Sequence, residues 1–376
     1  MNKILIFSYD FPPNDGGIAR LCSEIAYHLK QKDYAVEVLT TNHEGINKNV
    51  YNIGGMSILH KSAKRIVAEL QFFFYLLTLK NKSQYTIICG LWYPEALLTI
   101  LAGCKNMYIL THAAELRSGT SLFRRKIWIK YVARWVLTKA KKVIANSEYT
   151  ECLSLSVSPK ARVIALPLAV NHHFFSCKKY WNTDVEHPLV LCTVARVQKF
   201  KGYDFILETI ASLSQDLRER IRWVIAGDGE YKENLIKKIG EYELNHVVDF
   251  RGFIQDEHLP EIYQQSDLFI LGTQEDAKTC NVEGFGLVLL EAQSCGTPVI
   301  ATEVGGIPSA VKNGNGGWLI PSDGVQELSL LLKDLILNRD IIKKQGCRAR
   351  YRIEQNATWE IYISKLESIL KLIIKA

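Results

Sequence analysis

This chain has no cysteine pair in C-x-x-C spacing, no G-x-G-x-x-G, no D-x-D tripeptide and no apolar run of membrane-spanning length. The longest aromatic-apolar stretch, Phe72 to Leu79, is broken by Thr78 and closed by Lys80, well short of the roughly 20 apolar residues that a spanning helix needs. With 10 Pro and 24 Gly in 376 residues the chain is neither collagenous nor of low complexity, and its length suggests two domains of ordinary size. The missing glycine fingerprint argues against a nicotinamide or flavin dinucleotide site. Nine cysteines is an odd number, and several, such as Cys89 and Cys192, sit inside apolar runs. They read as buried thiols of a reducing compartment, not as disulfides or zinc ligands. Met1 to Phe7 is followed by Asp10 and Pro12-Pro13 without a cleavage-site pattern, so it reads as a first strand, not a signal peptide.

Charge is present but uneven. Residues 1–180 carry 24 Lys and Arg against 11 Asp and Glu, a balance of +13, whereas residues 181–376 carry 22 against 28, a balance of −6. A basic half suggests contact with a polyanion, although a solvated face would look the same. No zinc-finger, homeodomain or RNA-binding signature accompanies the charge, which favours an anionic membrane surface over a nucleic acid.

Short β-rich runs alternate with helix-period stretches. In the first half they are Ile4 to Phe7, Val36 to Thr40, Thr86 to Cys89, Met107 to Thr111, Val143 to Asn146 and Val163 to Leu166. In the second half they are Leu189 to Val194, Trp223 to Ala226, Val247 to Phe250, Leu268 to Leu271, Val299 to Ala301 and Trp318 to Ile320. This alternation predicts an α/β chain of two doubly wound halves with a ligand cleft between them. The segment from His172 to Pro188 lacks either period and marks the boundary. Apolar residues from Ile361 to Ile373 predict a terminal helix over Trp359 to Lys375.

Four motifs could carry chemistry. Gly16-Gly17 follows the first strand and precedes a helix with the apolar face Ile18, Leu21, Ile25, Leu29. Backbone N–H groups there can approach a phosphate or sugar closely, although a plain tight turn would use the same glycines. Arg196 and Lys201 leave a strand end and enter a helix, where both cations could converge on a diphosphate or simply lie at the surface. Glu283 and Glu291 bracket Gly284-Phe285-Gly286-Leu287. If Leu287 opens a helix, Glu283 sits at its mouth and Glu291 two turns deeper, on roughly the same side. Carboxylates suit the vicinal hydroxyls of a sugar. A glycosidase acid and nucleophile pair is the weaker alternative, because a hydrolase has no use for the Arg/Lys motif. Last, His112 closes a strand and could meet a sugar hydroxyl or a developing charge, or be structural.

Together these motifs resemble those of glycosyltransferase family 4, retaining nucleotide-sugar enzymes of GT-B fold, over essentially the whole chain. The resemblance implies two Rossmann-like domains facing a central cleft and a terminal helix crossing back to the first. Residues 1–180 would take the acceptor, 181–356 the nucleotide sugar, and 357–376 the crossing helix. It further implies that Arg196 and Lys201 hold the donor diphosphate, Glu291 the ribose and Glu283 a sugar hydroxyl. Gly16 and Gly17 would lie beside the phosphate, His112 beside the sugar, and Gly252 and Phe253 near the base. Asp228 and Glu230 would help shape the donor site. Two departures stand out: Leu168-Ala169-Val170-Asn171 replaces the family's Asn-Gly-Val-Asp turn, and Lys278-Thr279-Cys280-Asn281 is unlike the common pattern before Glu283.

Without a D-x-D tripeptide to hold a cation, transfer is expected to need no metal and no cofactor beyond the GDP- or UDP-linked co-substrate. In the basic half, Lys126, Lys130 and Arg134 form one helical stripe and Trp128, Tyr131 and Trp135 another, as on an interfacial helix. The expected protein is a retaining hexosyltransferase, mannose preferred, acting on a lipid-linked glycan or polysaccharide precursor at the inner face of the cytoplasmic membrane. The alternatives are an epimerase or phosphorylase of the same fold, or a non-catalytic nucleotide-sugar-binding scaffold.

Overall fold

The computed structural model of the chain describes residues 3–13, 16–41, 50–53, 56–62, 64–117, 121–177, 181, 184–275 and 281–372. Asn14, Asp15 and Lys278-Thr279-Cys280 lie outside the described residues. The chain forms two compact units, one running to Pro167 and resuming at Trp359, the other from Leu168 to Thr358.

The break comes earlier than the segment that the sequence marks, for a local reason. Arg350 Nη1 donates to the carbonyls of His172, Phe175 and Ser294 at 3.1, 3.1 and 2.7 Å. Ser294 Oγ also donates to Phe175 O at 2.7 Å, and the buried Phe175 ring packs edge-on to Tyr263 at 5.9 Å. Residues 172–175 are thereby part of the second unit.

The first unit carries β1 (Lys3–Phe7), β2 (Ala35–Thr41), β3 (Val50–Ile53), β4 (Met56–Lys61), β5 (Tyr85–Cys89), β6 (Met107–Thr111), β7 (Lys142–Ala145) and β8 (Val163–Ala165). Its sheet has the order β3-β4-β2-β1-β5-β6-β7-β8, parallel throughout except for the antiparallel pair β3 and β4. The central strands β5 and β6 are buried along their whole length, which is why they read as unbroken apolar runs. β4 escapes that reading because Ser57, His60 and Lys61 interrupt it near the sheet edge.

The second unit carries β9 (Leu189–Val194), β10 (Ile221–Ala226), β11 (Val248–Gly252), β12 (Leu268–Leu271), β13 (Val299–Thr302) and β14 (Gly317–Ile320). Its wholly parallel order is β11-β10-β9-β12-β13-β14. Winding reverses between β9 and β12 here, and between β1 and β5 in the first sheet. Such switch points open a crevice at the carboxyl ends of the strands. Trp223 anchors the core, its ring stacked on Tyr203 at 6.2 Å and its Nε1 donating to Thr193 Oγ1 at 3.0 Å.

The last described helix, Trp359–Leu370, packs within the first unit, burying Trp359, Tyr362, Ile363, Leu366, Ile369 and Leu370. Trp359 stacks on His28, and Glu367 accepts from Lys32 Nζ at 2.6 Å and Tyr34 OH at 3.0 Å. Just before it, Thr358 forms a parallel bridge with Val170, and Val170 N donates to Ala357 O at 3.0 Å. Among the described cysteines all are free, and Cys22, Cys89, Cys104, Cys192 and Cys295 are buried. Cys152 and Cys347 are exposed, contrary to the reading that all are buried, because they stand on the outer faces of surface helices. Among the described residues no helix is long and apolar enough to cross a membrane.

Candidate active site

In the second unit, the loops after β9 and β12 bring together residues that are far apart in sequence. A turn over Lys199–Lys201 leads to Gly202 at φ 77°, which opens the helix Tyr203–Ser212. A Cβ on Gly202 would stand 1.6 Å from Gly272 O, so only glycine allows the two loops to touch backbone to backbone. Gln274 reinforces the contact, its N donating to Phe200 O at 2.7 Å and its Nε2 to Gly272 O at 2.9 Å. Lys201 Nζ thereby lies 2.6 Å from Glu283 Oε2, with side chains only 13% and 15% exposed. Partial burial strengthens such a pair relative to one in open water. Arg196 is exposed and makes no side-chain hydrogen bond or ion pair among the described residues.

Glu283 is held from the other side by the loop after β13. Gly306 N donates to Glu283 O at 2.8 Å, and a Cβ on Gly305, at φ 55°, would come within 2.4 Å of the same oxygen. Gly286, at φ 88°, then turns the chain into the helix Leu287–Ser294, whose first N–H groups have no side-chain cap among the described residues. They remain available to an anion.

The two glutamates do not share one helical face. Only Glu291 is on the helix, because the left-handed turn at Gly286 takes Glu283 off its path. Glu291 is 3% exposed and accepts at Oε2 from Tyr263 OH at 2.8 Å. Burial first, and the Glu291 carboxylate second, hold the Tyr263 phenol well above the ordinary tyrosine range. It is therefore a protonated donor at any physiological pH.

At the end of β11, Gly252 O accepts from Gly227 N at 2.7 Å, and the Phe253 ring beyond it is 70% exposed. Asp228 accepts from Gly229 N at 2.7 Å and Lys232 Nζ at 3.2 Å, which draw its carboxyl below the usual range.

In the first unit, Gly16 precedes the helix Gly17–Gln31, and among the described residues it has no side-chain cap and a Cβ on either glycine would meet nothing within 4 Å. His112 follows β6. Its Nε2 lies 3.0 Å from Gly90 O, beyond β5, so that nitrogen carries the proton. Its backbone N donates to Glu115 Oε1 at 2.7 Å. The same crevice contains Glu95, fully buried, whose Oε1 accepts from Tyr9 N at 3.0 Å while Oε2 has no partner among the described residues. Burial raises this carboxyl to about 8, only partly opposed by the Tyr9 N–H.

The helix Arg124–Ala133 is π-wound and runs into the helix Arg134–Lys139. Lys126, Lys130 and Arg134 are exposed, as the stripe predicts. Trp128 corrects the second stripe: its ring packs 5.7 Å from Trp92 and 4.9 Å from Tyr93, against the core. The exposed apolar line is instead Phe123, Ile127, Tyr131 and Trp135, at 63, 48, 60 and 41%. Tyr93 also lies under Arg65 at 5.5 Å. Arg65 begins the helix Arg65–Thr78, which exposes Ile66, Leu70 and Phe74.

Gly305-Gly306, Gly272, Gln274 and Glu95 were not singled out by sequence reasoning. A signal existed for the first pair, a double glycine between a strand run and the Ile307-Pro308 helix start. Nothing local marks the other three, whose partners are distant in sequence.

Two family models match the chain, "Glycosyltransferase Family 4" over residues 15–174 and "Glycosyl transferases group 1" over residues 181–357. A GDP-mannose-dependent alpha-(1-6)-phosphatidylinositol monomannoside mannosyltransferase of Mycobacterium tuberculosis is 25% identical, covering 99% of this chain and 98% of its own. A GDP-mannose-dependent monoacylated alpha-(1-6)-phosphatidylinositol monomannoside mannosyltransferase of Corynebacterium glutamicum is 24% identical, covering 98% of each. The fold matches sucrose-phosphate synthase of Thermosynechococcus elongatus with a TM-score of 0.79 at 19% identity, covering 98% of each chain. It also matches Anabaena HepE, solved in complex with UDP, with a TM-score of 0.75 at 16% identity, covering 99% of this chain and 100% of that one. The paired family models, together with the two doubly wound sheets, establish that this chain is a GT-B glycosyltransferase of family 4, the glycosyl transferases group 1 type.

Proposed function

We propose that the protein is a retaining, metal-independent hexosyltransferase that moves mannose, in preference to other hexoses, from a nucleotide diphosphate to a lipid-linked glycan or polysaccharide precursor. The observation that carries this reading is the Lys201–Glu283 pair, which joins the loops after β9 and β12 at the switch point of the second sheet and is followed by the helix that opens at Leu287. Cations and N–H groups suit a diphosphate, and a carboxylate next to them suits a sugar hydroxyl. The mannose preference rests on the GDP-mannose-dependent relatives.

In this reading Arg196, Lys201 and the N–H groups at Gly286-Leu287 stabilise the diphosphate as the bond from the anomeric carbon to its phosphate oxygen breaks. The acceptor hydroxyl bonds to that carbon on the same face, and its proton passes to the departing phosphate oxygen. Charge stabilisation at the leaving group does the work a metal would otherwise do. Gly284 and Phe285 shape the turn around Glu283, Glu291 takes the ribose with its carboxylate set by Tyr263, and Gly252 and Phe253 flank the base. Gly16, Gly17 and His112 serve the transferred sugar and the acceptor.

We further propose that the basic unit rests on an anionic bilayer at the inner face of the cytoplasmic membrane. The exposed line Phe123, Ile127, Tyr131 and Trp135 beside Lys126, Lys130 and Arg134 supports this.

The test is transfer from GDP-mannose, UDP-glucose and UDP-N-acetylglucosamine in EDTA to membrane lipid extracts, with the anomeric configuration of the product read by NMR. An α-mannoside formed from GDP-mannose in EDTA supports the reading. An inverted product, or activity restored only by a divalent cation, overturns it.

A further inference from the structure

A basic recess lies at the opposite end of the first sheet. The carboxyl ends of β1 and β6 carry Gly16 and His112, whereas a recess of about 300 Å³ opens at the amino ends of β5 to β8. Lys141 and Lys142 at the start of β7, Arg162 just before β8 and Lys371 after the terminal helix line it. None of these cations has a carboxylate partner among the described residues.

The neutral groups of the recess are already engaged. Tyr108 OH donates to Leu370 O at 3.1 Å, and Asn106 Nδ2 donates to Tyr85 O and Thr86 Oγ1, both at 3.0 Å. The carboxyl end of the terminal helix contributes a negative partial charge of about half an electron. That offsets a small part of the field from four cations. Cations that line one recess repel one another, and an anion bound among them relieves that repulsion. The recess has the liquid volume of about ten waters, enough for a diphosphate with part of its hydration shell.

We propose that this recess binds a phosphate monoester or diphosphate group, as a site separate from the one that handles the donor. Arg162 supplies a planar fork for two phosphate oxygens, and the three lysines act as point charges around it. The group could belong to a soluble phosphate compound or to a lipid headgroup, and the two sources are separable by experiment.

The probe is inorganic pyrophosphate, titrated calorimetrically into the full-length protein. To silence the donor site, the titration uses an Arg196→Ala/Lys201→Ala background. The expected result is saturable binding of one pyrophosphate per chain, weakened at least tenfold by adding Lys142→Ala and Arg162→Ala. Arg162 is exposed and Lys142 half-buried, and an unchanged melting temperature without ligand verifies that the variants fold. Absence of saturable binding in the donor-silenced protein overturns the proposal, as does binding that the recess substitutions leave unchanged. Phosphatidylcholine vesicles containing phosphatidic acid identify the source. Vesicle binding that pyrophosphate displaces supports a lipid headgroup in the recess, whereas soluble binding with no such displacement supports a free phosphate compound.

Discussion

Lys201 and Glu283, 82 residues apart in sequence, share a 2.6 Å ion pair at the meeting of the loops after β9 and β12. Each neutralises the other in a partly buried place, so a substitution at either leaves an uncompensated charge. Lys201→Ala is expected to lower kcat/KM by about a hundredfold or more, on the order of 3 kcal/mol of leaving-group stabilisation. Glu283→Gln should also be severely impaired, and the double variant should lose less than the sum of the two. Steady-state kinetics of the three variants measure this directly, and additive losses would contradict a shared role.

Gly202→Ala tests the backbone contact behind that pair. With a Cβ placed 1.6 Å from Gly272 O, the loops must separate, and a loss of about 2 to 4 kcal/mol in stability is expected. Gly240, inside the helix Lys232–Glu241 with nothing within 4 Å of its Cβ position, provides the contrast. Gly240→Ala should stabilise the protein by about 0.5 to 1 kcal/mol. Chemical denaturation of both variants distinguishes a special glycine from an ordinary one.

Glu95 predicts a particular pH dependence of stability. Its carboxyl is raised from 4.5 to about 8 in the folded protein. Between those values the folded state keeps a proton that the unfolded state has lost. Stability from this group is therefore full below about pH 4.5 and declines as pH rises to about 8, by roughly 4 to 5 kcal/mol. Glu95→Gln should flatten that decline and be more stable than the parent above pH 8. Unfolding free energies of parent and variant from pH 5.5 to about 8.5 test the sign.

Membrane attachment should depend on charge and on apolar contact together. Lys126→Glu/Lys130→Glu/Arg134→Glu should weaken sedimentation with anionic vesicles by at least a hundredfold, since each basic residue near such a surface contributes about 1 kcal/mol. Phe123→Ser/Tyr131→Ser should weaken it at high salt as well, where screening has removed most of the charge term. Vesicle binding unchanged in both variants would remove the bilayer from the proposal.

The elements buried on both faces were the most legible from sequence. β6, β9 and β12 match the expected runs residue for residue, because a strand inside a parallel sheet must be apolar throughout. β3 and β4, at the sheet edge, carry no such demand and left no comparable pattern. Side chains that stand out in the sequence were the legible part of the candidate site: Lys201 and Glu283, both marked by their motifs, come within 2.6 Å of each other. The site was not legible where a carbonyl or a missing Cβ does the work, as between Gly202 and Gly272 or Gly305 and Glu283. Trp128 shows the opposite error. Its spacing fits a surface stripe, yet contact with Trp92 and Tyr93 draws it inward.

The helix Trp359–Leu370 completes a unit whose other strands and helices precede Pro167. During synthesis, the ribosome makes the entire second unit before it makes the residues that cover His28, Tyr34 and Tyr108. The second unit, with Val170 and Thr358 bridged at its two ends, can close on itself while the nascent first unit still shows the apolar surface that Trp359, Tyr362 and Leu366 will cover. That interval, more than the final fold, is when the first unit would depend on a chaperone.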